Sequence, residues 1–335
     1  MNRRGYLRML SAMFASVALG SCTGANRSEG KKDPECSGEC LQGGTFDLPS
    51  MPDEATLFFL VSDLGRNGYY KQKSIAEMMG RLAEKVGPDF IIAAGDTHHF
   101  NGVASVNDPL WMTNYELIYS HPELMIEWLA INGNHEYRGN TQAVLDYSKV
   151  SRRWVIPSRY YSKVVDAGVG EKMLILFIDT TPLIDRYRED PEKYPDAIRQ
   201  DREEQLRWID RTLAVSQEKW KIVVGHHPLY ADTSKEDSER IDMRKYVEPL
   251  LDKYGVDIYF CGHIHNFQHI KPGGSKVDYV VNSAASLARS VGVMEDTVFC
   301  SPEEGFTLVT ASDNELTFHF MNGEGRIIYS YTRKK

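Results

Sequence analysis

The 335-residue sequence has little cysteine, no excess of positive charge and no apolar run long enough to cross a bilayer as a helix. Five cysteines cannot staple a chain of this length into a disulfide-framework protein. Lysine and arginine total 39 against 47 aspartates and glutamates, a net charge of −8, so we expect no nucleic-acid binding through a basic surface. Hydrophobic residues are plentiful, at 42%, which excludes a chain that is disordered as a whole.

The N-terminal segment has the pattern of an export signal. Three arginines precede a short apolar run from Met9 to Leu19. The tetrapeptide Leu19-Gly20-Ser21-Cys22 resembles the lipobox of bacterial lipoproteins, which implies removal of residues 1–21 and lipidation of Cys22. A plain secretory signal is the alternative, and both the twin-arginine and the Sec export routes fit the arginines. We therefore expect an exported lipoprotein, anchored to the membrane and facing the periplasm or the cell surface.

The remainder of the chain divides at about residue 52. Residues 22–52 are rich in glycine, serine and charged residues, which predicts a flexible tether. From residue 53 to 335, short apolar runs alternate with helical patterns, and no second linker interrupts them. This alternation predicts one α/β domain of two packed sheets with helices outside.

Potential metal ligands follow most of the predicted buried strands. These strands cover residues 56–61, 90–94, 126–131, 173–178, 220–224 and 256–261. Helices are predicted over 74–86, 205–215 and 243–254, and more regularly alternating runs at 279–281, 306–309, 316–320 and 327–331 predict antiparallel strands of a second sheet. Five strand ends carry Asp, Asp, Asn-His, His-His and His-x-His, whereas Asp179, which follows the strand at 173–178, is expected to have a structural role or to support the ligands. Because ligands bind beyond the carboxyl ends of strands in open α/β sheets, these side chains predict one metal-binding crevice.

The strand-end residues carry a family resemblance. In order, they resemble the motif set of the calcineurin-like metallophosphoesterases: Asp63, Gly95-Asp96, Gly133-Asn134-His135, Gly225-His226 and Gly262-His263-Ile264-His265. The similarity is closer to the small purple (tartrate-resistant) acid phosphatases and extends from about residue 55 to the C-terminus. It implies a four-layer αββα sandwich of two mixed β-sheets with helices outside.

The resemblance also implies two metal ions, divalent or mixed-valent iron, manganese or zinc. One ion would be held by Asp63, Asp96 and His265. The other would be held by Asn134, His226 and His263, with Asp96 bridging both. His135 would face the substrate, where it could bind the phosphate or protonate the leaving oxygen.

Two departures from the family pattern are informative. Purple acid phosphatases place a tyrosine ligand three residues after the bridging aspartate, where this chain has His99, and most other members place a histidine where this chain has Gly65. Our hypothesis is that His99 completes the first metal site, which would favour divalent ions; His98 is the adjacent alternative. The second departure is a missing substrate-facing histidine, since residues 230–240 contain none.

The function that these features favour is hydrolysis of phosphate esters by a binuclear metalloenzyme. We expect an acid-phosphatase-like phosphomonoesterase that uses a metal-bound hydroxide and acts on a phosphorylated small molecule or phosphoprotein. A phosphodiesterase or nucleotide pyrophosphohydrolase is the alternative within the same chemistry. A non-catalytic surface lipoprotein that keeps the fold for binding is the alternative outside it.

Overall fold

Two seven-stranded sheets form the centre of the computed structural model, which describes Leu48 and residues 54–335. The strands are β1 (Thr56–Val61), β2 (Phe90–Ala94), β3 (Trp128–Ile131), β4 (Trp154–Val155), β5 (Tyr161–Asp166), β6 (Lys172–Phe177), β7 (Trp220–Val224), β8 (Ile258–Cys261), β9 (Phe267–Ile270), β10 (Asp278–Val281), β11 (Thr297–Ser301), β12 (Gly305–Ala311), β13 (Glu315–Asn322) and β14 (Ile327–Lys334). The first sheet has the order β14-β13-β12-β1-β2-β3-β4 and the second has the order β11-β9-β10-β8-β7-β6-β5. Both sheets are mixed, as expected.

Six α-helices accompany the strands in the described part of the chain. They are α1 (Gln72–Val86), α2 (Thr141–Asp146), α3 (Asp185–Arg188), α4 (Arg202–Val215), α5 (Ser238–Tyr246) and α6 (Glu248–Lys253). Side chains of α4, α5 and α6 share a buried cluster with Val223 of β7 and Tyr259 of β8, so these helices cover the second sheet. Ring contacts between Phe260 and Phe318, and between Phe267 and Phe320, join the two sheets face to face. The α/β sandwich predicted from the sequence is confirmed.

Parallel pairing at the centre of each sheet explains the continuous apolar runs. β1 to β4 pair in parallel in the first sheet, as do β6, β7, β8 and β10 in the second. Every residue of β2 is buried because layers cover both faces of the sheet. The carboxyl ends of the two parallel sets meet where Ser62 forms a parallel bridge with Ala284.

The expectation for the C-terminal strands was wrong in part. β12, β13 and β14 do not belong to the second sheet; they extend the first sheet through antiparallel pairing of β12 with β1. β10 does lie in the second sheet, where it is antiparallel to β9 and parallel to β8. Alternation of apolar and polar residues identifies an antiparallel strand, but it does not say which sheet edge the strand joins.

The helix predicted over residues 243–254 is two helices. α5 ends at Tyr246, and α6 begins at Glu248 with Pro249 in its first turn. Proline has no N–H to donate to the preceding turn and its ring crowds that turn, so a continuous helix is interrupted there.

None of the helices in the described part of the chain combines the length and apolar character needed to cross a bilayer. The expected signal peptide, residues 1–21, lies outside the described residues. So does the expected tether, residues 22–52, apart from Leu48.

Candidate metal centre

The predicted ligands lie in tight turns at the carboxyl ends of the strands. Among the described residues, six non-glycine residues have positive φ, and four of these are predicted ligands: Asp63 (51°), Asp96 (52°), His263 (70°) and His265 (66°). This conformation costs about 1–3 kcal/mol for a non-glycine residue, and such strain concentrates at functional sites. The turns bring side chains from both sheets into one buried cluster.

Each aspartate uses one oxygen for a backbone amide and turns the other towards a histidine. Asp63 Oδ2 accepts a hydrogen bond from His263 N at 2.8 Å, and Asp63 Oδ1 lies 3.0 Å from His265 Nε2. Asp96 Oδ1 accepts from His135 N at 2.9 Å, and Asp96 Oδ2 lies 3.1 Å from His226 Nε2. Burial alone would raise both carboxyl pKa values, but the facing histidines outweigh it and hold them well below their usual range.

Four histidines are oriented by backbone carbonyls. The Nδ1 atoms of these rings lie at hydrogen-bonding distance from carbonyl oxygens: His99 with Gly65 (3.1 Å), His135 with Phe100 (2.7 Å), His226 with Ala94 (2.8 Å) and His265 with Leu287 (2.8 Å). A carbonyl can only accept, so Nδ1 carries a proton, and Nε2 is the atom that each ring directs towards the cluster. Metal-binding histidines are held in this way.

His263 is oriented through its other nitrogen. Its Nε2 lies 2.8 Å from Glu239 Oε2, which leaves Nδ1 facing His226 Nε2 at 3.3 Å. Glu239 also accepts from Tyr187 Oη at 2.6 Å and from Arg186 at 3.0 Å. Burial opposes ionisation of Glu239, but His263 outweighs it and keeps the pKa of the carboxyl below its usual range. Glu239 was not identified from the sequence, because it lies on a helix far along the chain from the strand ends.

Adjacent histidines have different environments. His99 lies in groups with Asp63 and His265 and with Asp96 and His135, whose potential ligand atoms are all within 4.8 Å of one another. His98 points elsewhere: its Nδ1 is 3.2 Å from Asn114 Nδ2 and its ring packs edge-on against Trp111. The structure therefore brings His99, and not His98, to the aspartates.

Gly65 cannot be replaced by the histidine found in other families. A Cβ atom at this position would lie 1.7 Å from the carbonyl oxygen of Thr97, between Asp96 and His99. Gly65 instead offers its own carbonyl to His99. The first strand-end turn therefore has no space for an imidazole at position 65.

Asn134 and His135 complete the cluster from β3. Asn134 is buried, and its Oδ1 accepts no hydrogen bond from the described residues. His135 is more accessible than the other rings, and its Nε2 lies 3.7 Å from Asp96 Oδ2. Burial lowers the pKa of His135, and Asp96 opposes that effect.

Glu136, for which the sequence suggested no role, supports the turns from below. Its carboxylate accepts hydrogen bonds from the backbone N–H groups of Asp96 (2.9 Å), Gly133 (2.7 Å) and His98 (3.0 Å). Burial and the nearby Asp96 charge raise the pKa of Glu136 to about 7. The sequence feature that could have indicated this role is the position of Glu136 directly after Asn134-His135.

The donors present fit a pair of cations. Buried carboxylates, an amide oxygen without a partner and imidazoles whose nitrogen atoms face the aspartates suit borderline divalent or trivalent ions. His227 also lies near His226 and His263, but Thr180 Oγ1 (2.7 Å) and Tyr187 Oη (3.0 Å) engage both of its nitrogens. His227 therefore supports the site without offering it a ligand atom.

Substituting Gly65 by alanine should disrupt the centre. The added methyl group displaces the turn that carries Asp96 and His99, and we expect a loss of about 1–3 kcal/mol in the free energy of unfolding together with loss of bound metal. Urea denaturation and elemental analysis measure the two effects. Gly170→Ala is the matched control, since no atom lies within 4 Å of its added Cβ. A Gly65→Ala protein with unchanged metal content and midpoint would contradict this assignment.

Comparison with known proteins agrees with this geometry. The family model for calcineurin-like phosphoesterases matches residues 56–267. Purple acid phosphatase 3 of Arabidopsis thaliana is 31% identical over 301 residues, which cover 85% of this chain and 79% of that protein. Human tartrate-resistant acid phosphatase type 5 is 30% identical over 308 residues, covering 84% of this chain and 93% of that protein.

Solved structures share the fold. GAP50, described as the anchor in the inner membrane complex of Plasmodium, superposes with a TM-score of 0.74 at 22% identity, covering 84% of this chain and 89% of that one. Purple acid phosphatase PPD1 from yellow lupin has a TM-score of 0.61 at 16% identity, covering 85% and 55%. The family match and the extent of the acid phosphatase alignments together show that this chain belongs to the calcineurin-like phosphoesterases and is a phosphoesterase hydrolase.

Proposed function

We propose that the protein is a phosphomonoesterase of the acid phosphatase type with a binuclear metal centre. The observation that carries the proposal is the position of Asp96. One group of potential ligands joins Asp96 to Asp63 and His226, and another joins it to His99 and His135. A carboxylate shared between neighbouring groups is what two closely spaced ions require.

Each ion would have its own donors besides Asp96. Asp63, His99 and His265 would hold the first, and the second would be held by Asn134, His226 and His263. Iron, manganese and zinc suit these nitrogen and oxygen donors. When bound, such a pair supplies an activated water and neutralises charge on the phosphoryl oxygens.

The protein's own groups would orient the substrate and move a proton. Phe100 O fixes the ring of His135, so that Nε2 faces the centre near Asp96. In the protonated ring, Nε2 would donate to the ester oxygen as the alcohol departs. Glu136 and Glu239 would hold the ligand turns and the His263 ring in place.

The relatives support phosphomonoester hydrolysis over the alternatives, since those aligned over most of the chain are named acid phosphatases. The same donors could serve a phosphodiesterase, so the substrate class needs an assay. The similarity to GAP50 shows a shared fold only. It does not favour a purely structural role for this protein.

Asp96→Asn should abolish metal binding and activity together. Removing the shared anionic oxygen leaves two like-charged ions without a bridge, and we expect at least about a 10²-fold fall in kcat/KM. The assay compares mono- and bis-nitrophenyl phosphate, and elemental analysis gives the metal content. The control is Asp166→Asn, which alters an exposed aspartate paired with Lys172. A fully active Asp96→Asn enzyme would refute the centre, and faster hydrolysis of the diester would overturn the monoesterase assignment.

His99→Tyr should change the colour of the iron-loaded protein. We expect no tyrosinate charge-transfer band in the visible spectrum of the wild-type protein, because a neutral imidazole occupies the ligand position. The variant would place a phenol there and gain the band. His121→Tyr, at a partly buried position that precedes Pro122 and is not a proposed ligand, is the control and should remain colourless. A visible tyrosinate band in the wild-type protein would show that His99 is not the ligand in this position.

We also propose that the protein is exported and anchored to the membrane through lipidated Cys22, on the basis of the Leu19-Gly20-Ser21-Cys22 segment. In cells fed a fatty-acid probe, the wild-type protein should be labelled and should be recovered in the membrane fraction. The Cys22→Ser protein should be unlabelled. Cys36→Ser should behave like the wild type. Labelling that persists in Cys22→Ser would contradict the assignment.

A further inference from the structure

Cationic side chains lie near the metal centre in addition to its ligands. Arg66 follows the first ligand turn, Lys235 lies in the loop after His226, and Arg289 lies beside His265. We call them the cation triad. The carboxylates of the centre attract Arg66 and Lys235, and bound cations would offset that attraction.

Arg66 is buried near the carboxylates of Asp63 and Asp96, which attract its charge but form no direct ion pair with it. Its side chain is only 6% exposed, and its guanidinium lies 4.8 Å from the ring of Phe100. Nε has no hydrogen-bond partner, and no carboxylate among the described residues forms an ion pair with the guanidinium. Burial of a guanidinium that has no carboxylate in direct contact is costly, and burial lowers the pKa of Arg66 despite the attraction of Asp63, so an anionic ligand would stabilise this side chain. A guanidinium binds carboxylates and phosphates through two parallel hydrogen bonds.

Lys235 occupies the loop in which the family pattern places a substrate-facing histidine. Its Nζ donates to His263 O at 2.9 Å and lies 2.8 Å from His263 Nε2. An ammonium group carries three protons, so a further donor is left for a ligand. The loop therefore retains a positively charged group although it lacks the histidine.

Arg289 completes the triad at the exposed edge. Its backbone N–H donates to His265 O at 2.7 Å, which fixes the residue beside the first metal site. Its charge acts on both other members: burial is the main cause that lowers the pKa values of Arg66 and Lys235, and repulsion from Arg289 lowers them further. The three cations are thus close enough to interact.

We propose that the cation triad binds a second anionic group of the substrate, a carboxylate or a phosphate, beside the phosphate that is hydrolysed. This inference rests on the proposed phosphomonoesterase function. The two ions would neutralise the reacting phosphate, so Arg66 and its neighbours are left for another anion. The preferred substrates are therefore phosphomonoesters that carry more than one anionic group.

The test compares substrates that share a carbon skeleton. With the metal-loaded enzyme, kcat/KM for 3-phosphoglycerate should exceed that for glycerol 3-phosphate by at least about tenfold, because the former adds a carboxylate. Comparing 2,3-bisphosphoglycerate with 3-phosphoglycerate tests the effect of a second phosphate. Arg66→Gln and Arg289→Gln should each move the ratio of the two kcat/KM values, for 3-phosphoglycerate over glycerol 3-phosphate, towards one. Arg326→Gln, which alters an exposed arginine paired with Glu324, should leave it unchanged.

The outcomes separate this inference from the function on which it rests. If nitrophenyl phosphate and both glycerol-derived monoesters are not hydrolysed, the proposed function fails. If all are hydrolysed and neither multiply charged substrate is preferred, only the inference fails. Equal loss on both substrates in Arg66→Gln would also overturn it, because the guanidinium would then bind the reacting phosphate. Arg289 is exposed, so its variant remains informative even if Arg66→Gln does not fold.

Discussion

The site depends on the contact between the two sheets at the carboxyl ends of their parallel strands. Ser62 O accepts a hydrogen bond from Ala285 N at 3.0 Å, and Asp63 Oδ2 accepts one from His263 N at 2.8 Å. Gly262 permits this approach, since a Cβ there would lie 2.5 Å from Ser62 Cβ. Aspartates from the first sheet can therefore meet histidines from the second, which neither sheet could bring together alone.

Proton placement is the second constraint on the centre. The carbonyl groups that orient four of the rings keep Nδ1 protonated and direct Nε2 inward, while Glu239 reverses the arrangement for His263. These second partners fix which atom of each ring faces the cluster. The carbonyls of Gly65, Ala94 and Phe100 lie in or beside the ligand turns, whereas Leu287 follows β10 and Glu239 acts from α5. Ligand orientation therefore depends on the ligand turns and on segments outside them.

Much of the fold and of the donor set could be predicted from the sequence, because buried parallel strands are apolar throughout and their ends are marked by Gly, Asp, Asn and His. The choice between His98 and His99 could not be made in this way, since neighbouring residues in a turn differ in side-chain direction and not in composition. The edge joined by β12 was also hidden, because strand pairing depends on which edge is open. Glu239 and Arg66 were missed since their roles arise from contacts made only in three dimensions.

The turn of residues 96–100 links properties that are usually considered separate. It contains the shared carboxylate of Asp96 and the imidazole of His99, and the carbonyl of Phe100 orients His135 while its ring lies beneath the Arg66 guanidinium. Within the proposed enzyme, these five consecutive residues would influence the choice of metal, the delivery of the proton and the recognition of the substrate together. A substitution in this turn would therefore affect more than one of these three properties. Relatives with different specificities would be expected to differ at several of its residues together.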